Sequence, residues 1–138
     1  MTFVVDASAV APFFLPDERG ELADELLSRM AAGEHCVVPT LFISEITNLL
    51  VSAVRRRRLA VADAVVLLAA LAEWPIDIDT RGDRAGRVFA LAVRHGLSAY
   101  DATYLDLAID AGAELATHDR ALALAARAEG LELVAPPA

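Results

Sequence analysis

Four acidic residues stand where a charge is costly. Asp6 ends the apolar run Phe3-Val4-Val5, and small residues and a second apolar run follow it. Asp119 lies just beyond the short run Glu114-Leu115-Ala116-Thr117. On a helix, Glu45 shares a stripe with Leu41, Phe42, Asn48 and Leu49, and Asp101 shares one with Leu97, Tyr104 and Leu105. A buried carboxylate without a partner is expensive. For any one of these acids an arginine is an adequate partner. Four separate arginines explain the set less well than one dication held by several carboxylates. Oxygen-only donors suit Mg²⁺ or Mn²⁺, with several waters kept on the metal.

The elements that position these acids alternate along the chain. Strands are predicted over TFVV (2–5), HCVVP (35–39), PIDIDT (75–80), ELAT (114–117) and LELV (131–134). Helices are predicted over 8–15, where a proline interrupts, and over 21–33, 41–58, 61–74, 81–96, 98–112 and 119–130. A turn falls at PDERG, Ser98 and Asp119 stand at helix starts, and Gly33, Gly96 and Gly112 stand at helix ends. Strands that alternate with helices predict an α/β fold: a mostly parallel sheet of four to five strands flanked by helices. Ligands bind such sheets beyond the carboxyl ends of the strands. Asp6 and Asp119 should both lie on that edge.

At 138 residues the chain suits one domain spanning 1–138, and 57% hydrophobic residues can fill its core. No linker or repeat interrupts it, and Pro136-Pro137-Ala138 reads as a tail. The single cysteine, Cys36, excludes an internal disulfide framework and sits beside Val37 and Val38 as a packed thiol. No secretory signal is visible, and the longest apolar stretch, Ala64 to Ala72, is too short to span a bilayer. These features predict a soluble cytoplasmic protein. The net charge of −8 argues against a protein that coats nucleic acid, while allowing an acidic site that needs cations. Every basic residue is arginine, so a P-loop lysine and a lysine beside a phosphorylated aspartate are both excluded.

Other charged residues have plainer readings. Asp106 and Asp110, four apart, suggest a solvated helix face. Asp77 and Asp79 point to one face of a strand, toward water or a neighbouring cap. The run Arg55 to Arg58 complements the end of a long helix, or contacts an RNA backbone, and Arg81, Arg84 and Arg87 form a second candidate stripe. The helix over 61–74 is apolar nearly all round, which predicts burial against the core or a partner subunit.

With these residues in place, a family resemblance emerges. FVVDASAVAPFFLPDE, VPTLFISEITNLL, LSAYDATYLDLA and ELATHDRALALAA resemble, in order, the four motifs of the PIN-domain ribonucleases, and specifically the VapC toxins of type II toxin–antitoxin pairs. The resemblance covers essentially the whole chain and maps the family's acidic set onto Asp6, Glu45, Asp101 and Asp119. It implies a three-layer PIN-like fold and a Mg²⁺-dependent endoribonuclease, with Mn²⁺ as the other candidate metal. RNA would be cut to 5′-phosphate and 3′-hydroxyl ends by a metal-activated water. Asp6 and Asp101 are the candidates for direct metal contact. Glu45 and Asp119 would act through water, hold a second metal or orient the attacking group. Ser8, Thr117 and Arg55 are candidate substrate contacts, with helix and turn capping as the plain alternative for the first two. His118 departs from the usual pattern and reads as an exposed loop residue.

The resemblance also implies a homodimer and a VapB-type antitoxin. The antitoxin's disordered arm would fold on binding and bring a basic side chain to the acidic pocket. Three other readings fit less well. A catalytically silent PIN-like binding module would not need all four acids. A structure-specific DNA nuclease would need extra helices and basic patches. A phosphatase with an aspartyl nucleophile would need an acid at Ser8 and a lysine.

Overall fold

A computed structural model describes residues 1–15 and 20–136. Most of the expected turn, residues 16–19, and the last two residues of the expected tail lie outside them. Four strands form the sheet: β1 (Thr2–Val5), β2 (His35–Pro39), β3 (Ile76–Asp79) and β4 (Glu114–Ala116). All are parallel, in the order β3-β2-β1-β4, with Phe3 beside Cys36 and Glu114, and Val4 beside Val37 and Leu115. Successive side chains on a strand point to opposite faces. Phe3, Val4 and Val5 are nevertheless all buried, so both faces of β1 are covered.

Among the described residues, seven helices surround the sheet: α1 (Ala7–Phe14), α2 (Glu21–Ala31), α3 (Leu41–Arg55), α4 (Val61–Leu71), α5 (Ala85–His95), α6 (Ala99–Ala111) and α7 (Arg120–Ala128). α6 packs on β1, β2 and β4, with α5 and α7 against it, while α1 packs on α2 and α3. The expected caps are present. Ser98 Oγ accepts from the backbone of Asp101, Asp119 Oδ1 accepts from Leu122 N, and Gly112 takes a left-handed conformation that ends α6. Cys36 is buried, and burial pushes its thiol up to about 12, as an inert packed group requires. No helix among the described residues is long and apolar enough to cross a membrane.

The strand order positions the site. The chain lays β2 and β3 on one side of β1, then returns to place β4 on the other. The order reverses between β1 and β4, and Asp6 N donates to Ala116 O at 2.9 Å across that junction. The carboxyl ends of these two strands therefore flank the crevice that open parallel sheets use for ligands.

Several expectations are corrected. LELV makes only a bridge between Leu133 and Leu115, because Leu115 alone on β4 exchanges backbone hydrogen bonds with it, donating to Glu132 O and accepting from Val134 N. α4 is not buried all round: Val61, Val65 and Val66 are 64%, 60% and 66% exposed, and only Ala64 and Leu71 are buried. Apolar composition alone cannot say how many neighbours a helix has. α5 starts at Ala85 rather than Arg81, since Arg81 turns back to Asp79 at 2.9 Å.

Asp110 is exposed as expected, but Asp106 is buried, so the two do not form a solvated face, nor does Arg84 line an exposed basic stripe. Arg84 is buried and reaches Asp79 at 2.8 Å, Asp106 at 2.8 Å and Asp110 at 3.1 Å. Arg87 meets the other oxygen of buried Asp106 at 3.1 Å, and Arg81 meets Asp110 at 2.9 Å. Asp77, on the same strand as Asp79, pairs with His35 at the exposed edge. The cluster joins β3 and α5 to α6. Removing one partner of a buried ion pair costs about 3–5 kcal/mol, whereas an exposed pair gives about 0–1 kcal/mol. Arg84→Ala is therefore expected to lower unfolding free energy by about 3–5 kcal/mol, and Arg87→Ala by about 1 kcal/mol or less. Urea unfolding of the two variants checks this, and equal losses would contradict the assignment of Arg84 as the hub.

Candidate active site

Asp6 sits where β1 becomes α1. It is only 5% exposed, and no residue of its own strand can satisfy its side chain. Two hydroxyls do so: Ser8 Oγ donates to Oδ2 at 2.8 Å, and Thr117 Oγ1 donates to the same oxygen at 2.7 Å. Ser8 comes from the first turn of α1 and Thr117 from the end of β4. Each hydroxyl then accepts a backbone N–H, Ser8 from His118 at 3.0 Å and Thr117 from Asp119 at 2.9 Å. The single proton of each hydroxyl is thus spent on Asp6. Ser8 and Thr117 orient the carboxylate and tie the β1–α1 junction to the β4–α7 junction. The side chain of His118 is exposed, as expected, and its backbone contributes to this tie.

The other three acids come from three helix starts. Glu45 lies early in α3, Asp101 in the first turn of α6, and Asp119 caps α7. All three are half-buried. They act on one another electrostatically. Burial first, then the charges of Asp119 and Asp6, raises the Asp101 carboxyl above its ordinary value, against a small opposing effect of Ser98. Burial likewise raises Glu45, the Tyr104 hydroxyl opposes that rise, and the charges of Asp6 and Asp101 add to it. No arginine contributes to either shift.

Tyr104 is the site residue that the sequence pattern does not single out. By spacing it is only an apolar neighbour of Asp101. Its ring is fully buried, and its hydroxyl donates to Glu45 Oε1 at 2.5 Å across 59 residues of chain. The phenol oxygen also meets the backbone N–H of Ala7. Burial, then the Glu45 carboxylate, keeps the phenol protonated far above neutral pH. One phenol thus links α6, α3 and the residue after Asp6. The signal that could have found it is a tyrosine three residues after a stripe acid, a polar tip that needs a partner once buried.

Arg55 is not brought to this cluster. It is exposed at the last position of α3, ten residues or about 15 Å of helix rise from Glu45. Arg56 and Arg57 continue the run as the helix ends, with Arg57 at φ 57°.

The donor set fits a hard dication. It consists of carboxylates with hydroxyls behind them, and their mutual repulsion is relieved by a positive charge. Among the described residues, no three His, Cys, Asp or Glu side chains group closely enough to enclose an ion by themselves. Mg²⁺ matches such an open arrangement, since it usually keeps several waters and takes one or two carboxylates. Beside Glu45 runs a cleft of about 290 Å³, lined by Leu41, Ser44, Glu45, Asn48 and Tyr100.

Comparison with known proteins matches the fold over most of the chain. A family model described as PIN domain matches residues 3–128. Ribonuclease VapC3 of Pyrobaculum aerophilum is 37% identical over 125 residues, covering 89% of this chain and 93% of that protein. Among solved structures, PAE2754 from Pyrobaculum aerophilum superposes with a TM-score of 0.74 at 24% identity, over 96% of this chain and 89% of that one. FitAcB from Neisseria gonorrhoeae gives 0.67 at 16% identity, over 97% of each chain. VapBC-1 from nontypeable Haemophilus influenzae gives 0.65 at 14% identity, over 96% of each. At these identities the solved structures bear on the fold alone.

The shifts at Asp101 and Glu45 set a pH-dependent cost. Their folded-state carboxyls hold protons that the unfolded chain releases from about pH 4 upward. The site's contribution to stability is therefore greatest below that pH and is lost as pH rises through the raised folded values. Asp101→Asn removes one repelled charge. In EDTA the variant is expected to melt above the wild type at pH 7, with a difference that shrinks toward pH 4. Scanning calorimetry at both pH values checks this, and a variant that melts lower at pH 7 would show that Asp101 is stabilised by its surroundings.

Proposed function

The chain belongs to the PIN-domain family, and we propose that it is the toxin ribonuclease of a toxin–antitoxin pair, a metal-dependent endoribonuclease of the VapC type. One observation carries the reading. Asp6, buried at the crevice between β1 and β4, is oriented by two hydroxyls and faces further acids with like-charge repulsion rather than a neutralising arginine. A carboxylate cluster kept at that cost suits phosphoryl chemistry, which needs a cation. The 37% identity to a protein named as a ribonuclease supports the substrate class.

Asp6 and Asp101 would hold Mg²⁺ or Mn²⁺, with Glu45 and Asp119 in reach through water. When bound, the ion supplies a water of lowered pKa and neutralises charge on the phosphoryl oxygens. The chain's own residues do the remainder. Ser8 and Thr117 hold Asp6 in one rotamer. Tyr104 holds Glu45 against the repulsion of Asp6 and Asp101, so that its free oxygen can accept a proton or orient the attacking water. Asp119 presents its carboxylate at the start of α7 while capping that helix.

A cognate antitoxin is part of the proposal, as is a homodimer in the cytoplasm. A groove of about 310 Å³ between α1 and α4, lined by Phe13, Phe14, Leu59, Asp63, Val66 and Leu67, suits apolar side chains of such a partner. The neighbouring valines of α4 are exposed in the single chain, and the net charge of −8 would attract a basic arm. Light scattering is expected to report a dimer at micromolar concentration, and a monomer would contradict that part.

Cleavage of RNA by the purified protein is expected to require Mg²⁺ or Mn²⁺ and to stop in EDTA. Asp6→Asn keeps the size and removes the charge, so it should cut kcat by at least about 100-fold. Gel assays on total RNA with sequencing of the cut ends test both points. Full activity of Asp6→Asn in EDTA would overturn the mechanism.

A further inference from the structure

Apart from Glu45, the residues lining the cleft beside it have no part in the acidic set, and the lining does not resemble a phosphate site. Leu41, Glu45 and Asn48 follow i, i+4, i+7 on α3, so one face of that helix forms the wall. Ser44 and Asn48 are exposed on it. Across the cleft stands Tyr100, 65% exposed in the first turn of α6 and directly before Asp101. The only charged group in the lining is a carboxylate, which repels a phosphate. What remains is an exposed aromatic ring, a half-buried leucine, a hydroxyl and a carboxamide with both donors and an acceptor.

We propose that this cleft is a nucleobase subsite, in which one unpaired base next to the scissile phosphate stacks on Tyr100 and is read at its edge by Asn48 and Ser44. The inference rests on the ribonuclease reading above and gives it a source of selectivity. Single-stranded RNA is recognised by bases splayed onto aromatic side chains and hydrogen-bonded at their edges. An acidic chain gains little from backbone phosphates, so a neutral base face is the contact it can use without charge. Continuity fixes the location: Glu45 lines both the cleft and the acidic cluster, and Tyr100 adjoins Asp101 in sequence. A base held here keeps its own phosphate close to the acids. It also selects single-stranded RNA, because a paired base cannot reach the ring.

The test uses the full chain and short unpaired oligoribonucleotides of defined sequence, selected by binding in EDTA. Each nucleotide is made abasic in turn. Binding is read by fluorescence anisotropy in EDTA at low salt, and kcat/KM is read in Mg²⁺. For the wild type, one abasic position should weaken both by roughly 5- to 150-fold, the span that stacking on an aromatic ring provides. Tyr100→Ala should show a loss of that size on the intact oligonucleotide and no further loss on the abasic one. Tyr100→Phe should behave as the wild type does, and Asn48→Ala should shift which base is preferred at that nucleotide. If Tyr100→Ala stays as sensitive to the abasic position as the wild type, the subsite is overturned while the ribonuclease reading stands. If the wild type binds with the expected sensitivity but cuts nothing in Mg²⁺ or Mn²⁺, the ribonuclease reading fails and the subsite stands. Absence of any sensitivity in binding overturns the subsite, whatever the cleavage result.

Discussion

A buried carboxylate at the end of a central strand constrains everything around it. Asp6 follows three buried residues on β1 and cannot turn to water. A buried carboxylate without hydrogen bonds is expensive. The chain answers with two hydroxyls that are far apart in sequence, Ser8 and Thr117. Thr117 can reach Asp6 only if β4 lies beside β1. The sheet order β3-β2-β1-β4, with its reversal at that junction, is thus the condition for housing the acid at all.

Helix α6 carries the consequences in two directions. At its start, Asp101 faces other acids and is left uncompensated, while Tyr104 reaches across to Glu45. Further along, Asp106 and Asp110 are paired with Arg84, Arg87 and Arg81. The same helix is held in place at one end by satisfied charge and loaded at the other with repulsion. Preorganised sites are commonly built this way: rigidity from the surrounding shell allows a costly arrangement to persist.

The exposed apolar residues divide by position. Those of α4 lie beside the groove bounded by Phe13 and Phe14, whose apolar lining suits the protein partner proposed above. Tyr100 precedes Asp101 on α6 and lines the cleft beside Glu45, where a base of the substrate is proposed to stack. The distinction follows from what surrounds each one: mostly apolar neighbours beside Phe13 and Phe14, and a carboxylate with a hydroxyl and a carboxamide beside Tyr100.

Much of this is legible in the amino-acid sequence because it depends on near neighbours along the chain. Strand and helix alternation, the caps at Ser98 and Asp119 and the stop at Gly112 are of this kind, and all three caps form. Glu45 and Asp101 stand out as acids on apolar stripes, and Asp6 and Asp119 as acids beyond strand ends. Their partners do not stand out. Asp101 and Asp106 occupy one helix, and spacing names the partner of neither: Asp101 meets carboxylates, and Asp106, which reads as solvated, is buried against arginines. Tyr104 has the pattern of a core residue, but its hydroxyl meets Glu45, and α4 has the composition of a core helix, but too few neighbours cover it. A carboxylate's worth depends on which charge lies within a few ångströms of it, and in this chain those charges come from residues tens of positions away. Periodicity can say that a side chain faces inward, but only the packing of α5, α6 and β4 says what it meets there.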